Sequence, residues 1–143
     1  MKKIIIVTGG AGFIGSNLIR FLLKRTNFNI ISIDNYTTGS IKNHAINKNV
    51  KYINGQNKDI SRILKNYKKK IKIIYHFGEF SRIYQSFLHT KDCVNSNIYN
   101  SFEVINFAKD NNIKIIYSAT SSNLGNYGKD QNSSPYAWTK TKN

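Results

Sequence analysis

The stretch Thr8-Gly9-Gly10-Ala11-Gly12-Phe13-Ile14-Gly15 spaces three glycines as G-x-x-G-x-x-G, at positions 9, 12 and 15. A largely apolar run at residues 3–7 precedes it, and a segment of helical period follows it. Glycine is needed where the backbone turns tightly, where a pyrophosphate approaches and where a helix packs on a sheet. The N–H groups at the start of such a helix attract phosphate. The stretch therefore predicts a dinucleotide site, the alternative being a tight strand-to-helix turn without a ligand.

The rest of the chain alternates short apolar runs with segments of helical period, which is typical of βαβ units. Strands are predicted at residues 3–7, 29–33, 50–53, 71–77 and 113–118. The inner helix faces are predicted at Ile14, Leu18, Phe21 and Leu22, at Ile60, Ile63, Leu64 and Tyr67, and at Ile98, Phe102, Ile105 and Ala108. A last helix is expected to begin at Pro135. These elements predict an α/β fold, a Rossmann-type doubly wound parallel sheet with its ligand crevice at the carboxyl ends of the strands.

Asp34 stands at the predicted end of the second strand, 19 residues after Gly15. A carboxylate at that place accepts hydrogen bonds from the ribose hydroxyls of a dinucleotide and repels a 2′-phosphate. The predicted cofactor is therefore NAD rather than NADP. A loop-capping role is the alternative for this aspartate.

Three polar residues near the end of the chain are predicted to be catalytic. Tyr136 and Lys140 are spaced i, i+4, so they face the same side of a helix. An ammonium close to a phenol favours the phenolate, which makes the tyrosine a usable base near neutral pH. Thr120 follows the fifth predicted strand, where its hydroxyl can hydrogen-bond a reacting oxygen. A polar turn at the end of a strand is the alternative reading of Thr120.

The composition limits the class of protein. A chain of 143 residues with 40% hydrophobic residues fits one globular domain. No run approaches the roughly 20 apolar residues that a membrane span needs. The single cysteine, Cys93, excludes an internal disulfide and fits a reducing compartment, so we expect a cytoplasmic protein.

The net charge of +15 is spread along the chain, with one local cluster at Lys68, Lys69, Lys70 and Lys72. We interpret it as a solvated surface that attracts anions in general and expect no nucleic-acid partner. The three histidines, His44, His76 and His89, have no metal-ligating partners at a useful spacing, so no metal site is predicted.

These motifs together resemble the NAD-dependent epimerase/dehydratase family, a branch of the extended short-chain dehydrogenase/reductases that acts on nucleotide sugars. The resemblance covers the whole chain and runs through the glycine-rich turn and through segments 33–39, 75–78, 118–125 and 134–140. It implies that Thr120, five residues before Gly125, is catalytic together with Tyr136 and Lys140. It also implies that NAD is contacted by Gly9, Gly12, Phe13, Ile14, Gly15, Asp34, Asn35, Phe77, Gly78, Asn97, Tyr136 and Lys140.

The activity that the resemblance implies is most like that of a UDP-hexose 4-epimerase. Tyr136, as the phenolate, would take the proton of a sugar hydroxyl while hydride passes to the nicotinamide and later returns to the other face of the sugar. Lys140 would hydrogen-bond the nicotinamide ribose, and Thr120 would position the substrate oxygen. A nucleotide-sugar reductase or dehydrogenase of the same fold and a non-catalytic NAD-binding fragment are the alternatives.

Three segments depart from the family pattern. Gly55-Gln56-Asn57 stands where the family has Gly-Asp-Ile/Leu, so Gln56 would supply the acceptor for adenine. Ser121 and Ser122 stand where the dehydratase subgroup has Asp-Glu, which disfavours a 4,6-dehydratase. Glu79 and Arg82 are unusual in their segment, and we expect a local ion pair, with a substrate contact as the alternative.

Members of this family are about twice as long as this chain. Residues 1–143 are therefore expected to be an incomplete NAD-binding Rossmann domain that lacks the C-terminal substrate-binding lobe. The implied partners are a nucleotide-sugar substrate, a UDP-sugar by the closest likeness, and a second copy of the chain. In the family, the dimer forms through the third helix and the helix that bears the tyrosine.

Overall fold

The computed structural model describes residues 2–121 and 125–142, and the chain forms one five-stranded parallel sheet in these ranges. The strands are β1 (Ile4–Thr8), β2 (Asn29–Asp34), β3 (Val50–Asn54), β4 (Ile71–His76) and β5 (Lys114–Tyr117). Their order is β3-β2-β1-β4-β5, so the chain winds away from β1 first in one direction and then in the other. This is the doubly wound arrangement, which confirms the predicted α/β class.

Six α-helices connect or follow the strands within the described residues: α1 (Phe13–Arg25), α2 (Ile60–Ile63), α3 (Ile83–Leu88), α4 (Thr90–Val94), α5 (Asn100–Asp110) and α6 (Pro135–Lys140). A π-helical turn at Asn95–Tyr99 joins α4 to α5. Short 3-10 segments lie at Ile41–Asn43, Asn57–Asp59, Lys68–Lys70 and Gly125–Asn132. None of these helices has the length and apolar character that crossing a membrane would require.

The central strand β1 is buried along its whole length. Successive side chains of a strand point to opposite faces of the sheet. Ile4 and Ile6 accordingly join the apolar cluster under α2 and α5, whereas Ile5 and Val7 join the cluster under α1. A strand that is covered on both faces must be apolar throughout, which is why residues 4–7 form a continuous apolar run.

The predicted inner face of α1 is confirmed at Leu22, which is buried, and at Leu18, which packs against the same cluster, but it is wrong at Ile14 and Phe21. Ile14 and Phe21 are 58% and 57% exposed, whereas Ile19 is fully buried. The buried stripe begins at Gly15 and Ser16, because a Cβ at Gly15 would lie only 2.3 Å from the carbonyl oxygen of Gly9. The smallest residues of the helix therefore face the sheet, and a search for apolar periodicity overlooks them.

The predicted face of the third helix is confirmed at Ala108, which is buried, but it is wrong at two other positions. Phe102 is 58% exposed and Ile105 is 36% exposed, and the buried stripe of α5 consists of Ser101, Val104, Phe107 and Ala108. The helical run begins at Thr90, so Asn97 lies inside it, in the π-helical turn. The apolar pattern is misleading because polar Asn97 and Ser101 are buried and hydrogen-bonded.

Two other helix predictions were closer to the structure. Ile60 and Leu64 are fully buried, and Ile63 and Tyr67 pack against the same cluster, although α2 itself ends at Ile63. Helix α6 begins at Pro135 as predicted, and its preceding Ser134 accepts a hydrogen bond from the N–H of Ala137. Helices α3 and α4 were not predicted.

Candidate functional site

The glycine-rich turn lies at the carboxyl end of β1, against the segment that follows β4. Gly9 has a φ of +70°, and a Cβ there would come within 2.7 Å of the carbonyl carbon of Phe77. A side chain at this position is therefore excluded both by conformation and by the neighbouring backbone. A Cβ at Gly12, in contrast, would meet among residues 2–121 and 125–142 only the carbonyl oxygen of Gly9, at 3.3 Å. Gly12 thus has an open side.

The N-terminus of α1 is suited to an anion. Within the described part of the chain no side chain caps it, and its first turn contains no acidic residue. Phe13 and Ile14, in that first turn, are 83% and 58% exposed. Unpaired N–H groups and the positive end of the helix dipole make such a terminus an anion-binding site.

Asp34 lies at the end of β2 and is tied to the glycine-rich turn. Its Oδ2 accepts a hydrogen bond from the N–H of Ala11 at 2.8 Å, and its Oδ1 accepts one from the N–H of Tyr36 at 2.8 Å. Only 8% of the residue is exposed, whereas its neighbour Asn35 is exposed. These two hydrogen bonds hold the carboxylate in place before any ligand binds. Burial, together with the charge of Asp34, also raises the pKa of the Tyr36 phenol.

The segment after β4 is held by two other strand ends. Thr8 Oγ1 accepts hydrogen bonds from the N–H groups of Phe77 and Gly78, at 3.2 and 3.0 Å. The side-chain amide of Asn57 donates to the carbonyl of Gly78 at 2.6 Å. Asn57 belongs to the segment Gly55-Gln56-Asn57, which departs from the family pattern. Its side chain links the end of β3 to the end of β4, and the sequence analysis did not predict this hydrogen bond.

A chain of hydrogen bonds runs from Thr8 through His76 and Ser101 to Glu79. Thr8 Oγ1 lies 2.6 Å from His76 Nδ1, His76 Nε2 lies 2.9 Å from Ser101 Oγ, and Ser101 Oγ donates to Glu79 Oε1 at 2.5 Å. Because Thr8 Oγ1 already accepts two N–H groups, its proton is directed at Nδ1, and Nε2 carries the ring proton. Burial, with the positive charge of Lys140, lowers the pKa of His76 to about 3. The ring is therefore neutral.

Lys140 contacts Glu79, the last residue of this series of hydrogen bonds. Its ammonium donates to Glu79 Oε2, to the carbonyl of Ser118 and, at 2.8 Å, to the hydroxyl of Tyr117. The lysine is 4% exposed. The expected local ion pair between Glu79 and Arg82 is therefore wrong: Glu79 pairs with Lys140, 61 residues away, and Arg82 is exposed. Parallel strand ends bring distant residues together in a way that local spacing does not reveal.

The remaining predicted residues surround the same edge of the sheet. Tyr136 is half-buried in the first turn of α6, and its N–H donates to Ser86 Oγ at 3.1 Å. Thr120 is half-buried, three residues after β5. Asn97 is fully buried, where it bonds both backbone groups of Phe80 and donates to Thr139 Oγ1 at 3.0 Å. Ser122, one of the two serines weighed against a dehydratase, lies outside the described residues.

The structure thus brings the predicted cofactor residues and the predicted catalytic residues to one edge. Gly9 packs on Phe77 and Gly78, and Lys140 binds the adjacent Glu79. Sequence reasoning missed the roles of Asn57, Ser101 and Tyr117. The signal that could have found Ser101 is its i, i+4 spacing from Asn97, which places two polar residues on the buried face of one helix.

Comparison with known proteins gives the same answer at the level of the family. The model of the NAD dependent epimerase/dehydratase family matches residues 5–142. The chain is 30% identical over 127 residues to a UDP-glucose 4-epimerase of Lactobacillus helveticus, covering 87% of this chain and 36% of that protein. It is also 30% identical over 112 residues to a dTDP-glucose 4,6-dehydratase of Haemophilus influenzae, covering 74% and 33% respectively. The chain therefore spans about a third of the length of these relatives.

Solved structures share the fold at low sequence identity. An epimerase of Methanothermobacter thermautotrophicus superposes with a TM-score of 0.86 at 22% identity, covering 98% of this chain and 45% of that one. The enzyme WbmH of Bordetella bronchiseptica, solved in complex with NAD+, superposes with a TM-score of 0.85 at 21% identity, covering 99% and 50%. The match of the family model over nearly the whole chain, on a fold that these structures share, shows that the chain belongs to the NAD-dependent epimerase/dehydratase family of enzymes.

Proposed function

We propose that this chain is the NAD-binding half of a nucleotide-sugar epimerase that acts like a UDP-hexose 4-epimerase. The observation that carries the proposal is the meeting of two groups of residues at the segment Phe77–Glu79. Gly9 packs against its first two residues, and Lys140 of α6 binds its last. The residues proposed for the cofactor and those proposed for chemistry therefore share one crevice at the carboxyl ends of the strands.

The residues present fit a dinucleotide. The open side of Gly12 and the uncapped start of α1 suit a pyrophosphate, because both leave backbone N–H groups accessible to an anion. Asp34, already oriented by two backbone N–H groups, retains lone pairs that can accept from ribose hydroxyls. Gly15 allows the close packing of α1 on the turn, and Phe13, Ile14, Asn35, Phe77, Gly78 and Asn97 remain the proposed further contacts.

The chemistry is assigned to three side chains. Bound NAD supplies a reversible acceptor for a hydride. Tyr136 removes the proton of the sugar hydroxyl as a phenolate and later returns it. Lys140 favours the phenolate through its positive charge, one helical turn away on α6. Thr120 hydrogen-bonds the reacting oxygen of the substrate.

The substrate proposed is a UDP-sugar, and the support is the likeness to a UDP-glucose 4-epimerase over 87% of this chain. The lobe that would hold the sugar nucleotide is proposed to lie outside residues 1–143, because the chain spans 36% of that relative. A nucleotide-sugar reductase or dehydrogenase remains the alternative within the family. The single cysteine supports a reducing compartment, and we propose the cytoplasm.

A homodimer is proposed as the assembly. Tyr99, Phe102 and Ile105 project from the π-helical turn and α5 and are 64%, 58% and 36% exposed. An exposed apolar helix face of this kind is suited to a partner surface. A second copy of the chain, packed through the same face, would bury it.

The first test is a calorimetric titration of NAD into the chain, with Gly12→Val and Asp34→Ala beside it and Asp110→Asn as the control. Asp110 is exposed on α5, away from the crevice. Saturable binding that both site variants lose and the control retains is the expected result. A folded chain that binds no NAD would contradict the cofactor assignment.

The second test uses the full-length protein with UDP-sugars. An epimerase interconverts two sugars with no net change in NADH, whereas a dehydrogenase produces NADH in step with product. Stoichiometric NADH would contradict the epimerase and favour the alternative.

A further inference from the structure

Lys140 has all three of its ammonium donors engaged inside the protein. Its acceptors are the carboxylate of Glu79, the hydroxyl of Tyr117 and the carbonyl of Ser118. An ammonium has three N–H groups and accepts nothing, so its hydrogen-bonding capacity is filled. The chain itself therefore determines where this positive charge lies.

Glu79 is the charged member of that set of acceptors, and it is fixed in turn by neutral groups. Its side chain is 5% exposed. Oε1 accepts from Ser101 Oγ at 2.5 Å and from the Tyr117 hydroxyl at 3.2 Å, while Oε2 faces Lys140. His76 Nε2 lies 3.8 Å from Oε1, but the ring is neutral and adds no charge. A buried carboxylate held by several donors is a rigid counter-ion.

We propose that Glu79 is a positioning residue for the chemistry at Tyr136: its carboxylate fixes the ammonium of Lys140 and cancels part of the positive charge that Lys140 presents to the phenol. The inference rests on the proposed function, since the position of Lys140 matters for catalysis only if Tyr136 is the base. It also adds a constraint. A hydrogen bond from Lys140 to a nicotinamide ribose requires that one of its three internal bonds be released.

The sign of the effect follows from Coulomb's law. A positive charge near a phenol favours the phenolate, and a negative charge in contact with that positive charge weakens the effect. Removing the charge of Glu79 while keeping its shape therefore lets the Tyr136 phenolate form at lower pH. Among the described residues, the ionisable groups in contact with this cluster are His76 from β4, Tyr117 from β5 and Cys93 from α4. On the elements packed against α6, Asp130 is half-buried, and the exposed ionisable groups are Tyr84, Lys91, Asp92, Tyr99, Tyr127 and Lys129.

The test is a spectroscopic pH titration of tyrosinate absorbance. The chain contains nine tyrosines, so the contribution of Tyr136 is isolated by subtracting the matching Tyr136→Phe protein. In Glu79→Gln we expect the Tyr136 component to move to lower pH by roughly 0.5 to 1 unit. Glu79→Asp, which restores the charge, should bring the component back toward its original position. An unmoved component, or one that moves to higher pH, overturns the proposal.

Asp110→Asn is the matched control, because it changes the net charge of the chain by the same amount at an exposed carboxylate. A shift of equal size in this control would also overturn the proposal, because it would reflect the overall charge. A purely structural role for Glu79 moves the stability and leaves the titration of Tyr136 in place.

A second measurement needs no substitution at Glu79, so it remains available if Glu79→Gln fails to fold. Proton–nitrogen NMR of the lysine ammonium groups detects those whose N–H protons are protected from exchange. We expect one protected ammonium that disappears in Lys140→Arg. An ammonium of Lys140 that exchanges as fast as exposed lysines contradicts the proposal.

Neither readout requires NAD. Absence of NAD binding with an intact Glu79-dependent titration contradicts the proposed function and leaves the coupling of Glu79 to Tyr136 supported. NAD binding without that titration contradicts the positioning role of Glu79 alone.

Discussion

The hydroxyl of Thr8 donates to Nδ1 of His76 over 2.6 Å, although the two residues lie 68 positions apart in the chain. The register of β1 against β4 pairs these two residues at the carboxyl ends of their strands. Nε2 forms a hydrogen bond with Ser101 Oγ on the other side of the ring. A second proton on the imidazole would have to sit on Nδ1, where it would face the donating hydroxyl of Thr8.

Stability should therefore fall steeply in mild acid because of His76. Its pKa is about 3 in the folded chain and 6.5 in the unfolded chain, so the unfolded chain binds the proton more tightly. The contribution of neutral His76 to the free energy of unfolding is complete above pH 6.5 and is lost as the pH falls from 6.5 toward 3. This contribution amounts to a few kcal/mol at most. Urea unfolding between pH 7.5 and 4 measures it.

His76→Gln should be less stable at pH 7 but should lose less stability across that pH range. His89→Gln is the control, because His89 is an exposed histidine on the surface. If the parent chain and His76→Gln show the same slope of unfolding free energy with pH, the assignment to His76 is wrong.

Two glycines of the same motif should respond differently to alanine. At Gly15 a Cβ would lie 2.3 Å from the carbonyl oxygen of Gly9, so Gly15→Ala should cost about 3 kcal/mol of unfolding free energy through overpacking. At Gly12 the nearest atom is 3.3 Å away, and Gly12→Ala should cost about 1 kcal/mol or less. Thermal and urea unfolding give the stabilities. Equal losses in the two variants would contradict the proposed geometry of the turn.

The Gly12→Ala chain should nevertheless bind NAD more weakly, because the added methyl occupies the open side of the turn. Calorimetry on this variant separates the two effects. Unchanged affinity in Gly12→Ala would show that the cofactor does not approach Gly12.

Asp34→Asn should weaken both the fold and the binding of NAD. One carboxylate oxygen becomes an amino group that faces a backbone N–H of Ala11 or Tyr36, which leaves a donor unpaired at a cost of about 1–3 kcal/mol. The loss of an acceptor for ribose should reduce NAD affinity by roughly tenfold. Calorimetry at a temperature where both proteins are folded measures the affinity. An Asp34→Asn chain that keeps parental affinity would exclude the ribose contact.

Phe102→Lys should leave the fold intact and reduce self-association. The ring is 58% exposed, so its loss removes little core packing. Sedimentation velocity over a range of concentrations reports the change, and Phe21→Lys on α1, whose ring is 57% exposed, is the control. If the parent chain is a monomer at every concentration, this face does not form a dimer within residues 1–143.

The features that the sequence predicted well are those set by neighbouring residues. The glycine-rich turn and the apolar run of β1 are local patterns, and each has one physical explanation. Together they predict the parallel sheet and the start of α1. The predictions of the buried faces of α1 and α5 were only partly correct, for a different reason. There the buried stripe is built from Gly15, Ser16 and Ser101, whose fit depends on a close approach or on a hydrogen-bond partner elsewhere in the chain.

The environment of Lys140 could not have been predicted in the same way. Its spacing from Tyr136 is visible in the sequence, but Glu79 is 61 residues distant and Tyr117 is 23 residues distant. No local rule relates them, because they meet only when β4 and β5 pair and α6 folds back. The sequence related Lys140 only to Tyr136, whereas in the folded chain Lys140 also forms an ion pair with the carboxylate of Glu79.

The place of β1 in the sheet has a consequence for synthesis on the ribosome. β1 pairs with β2 on one edge and with β4 on the other, and β4 ends at His76. At about 5–20 residues per second, the second edge of this largely apolar strand has no partner for several seconds after Thr8 is made. An unpaired apolar strand edge recruits other strands. Nascent chains arrested before residue 71 should therefore be captured by chaperones or aggregate, and chains long enough to expose β4 outside the ribosome should escape both.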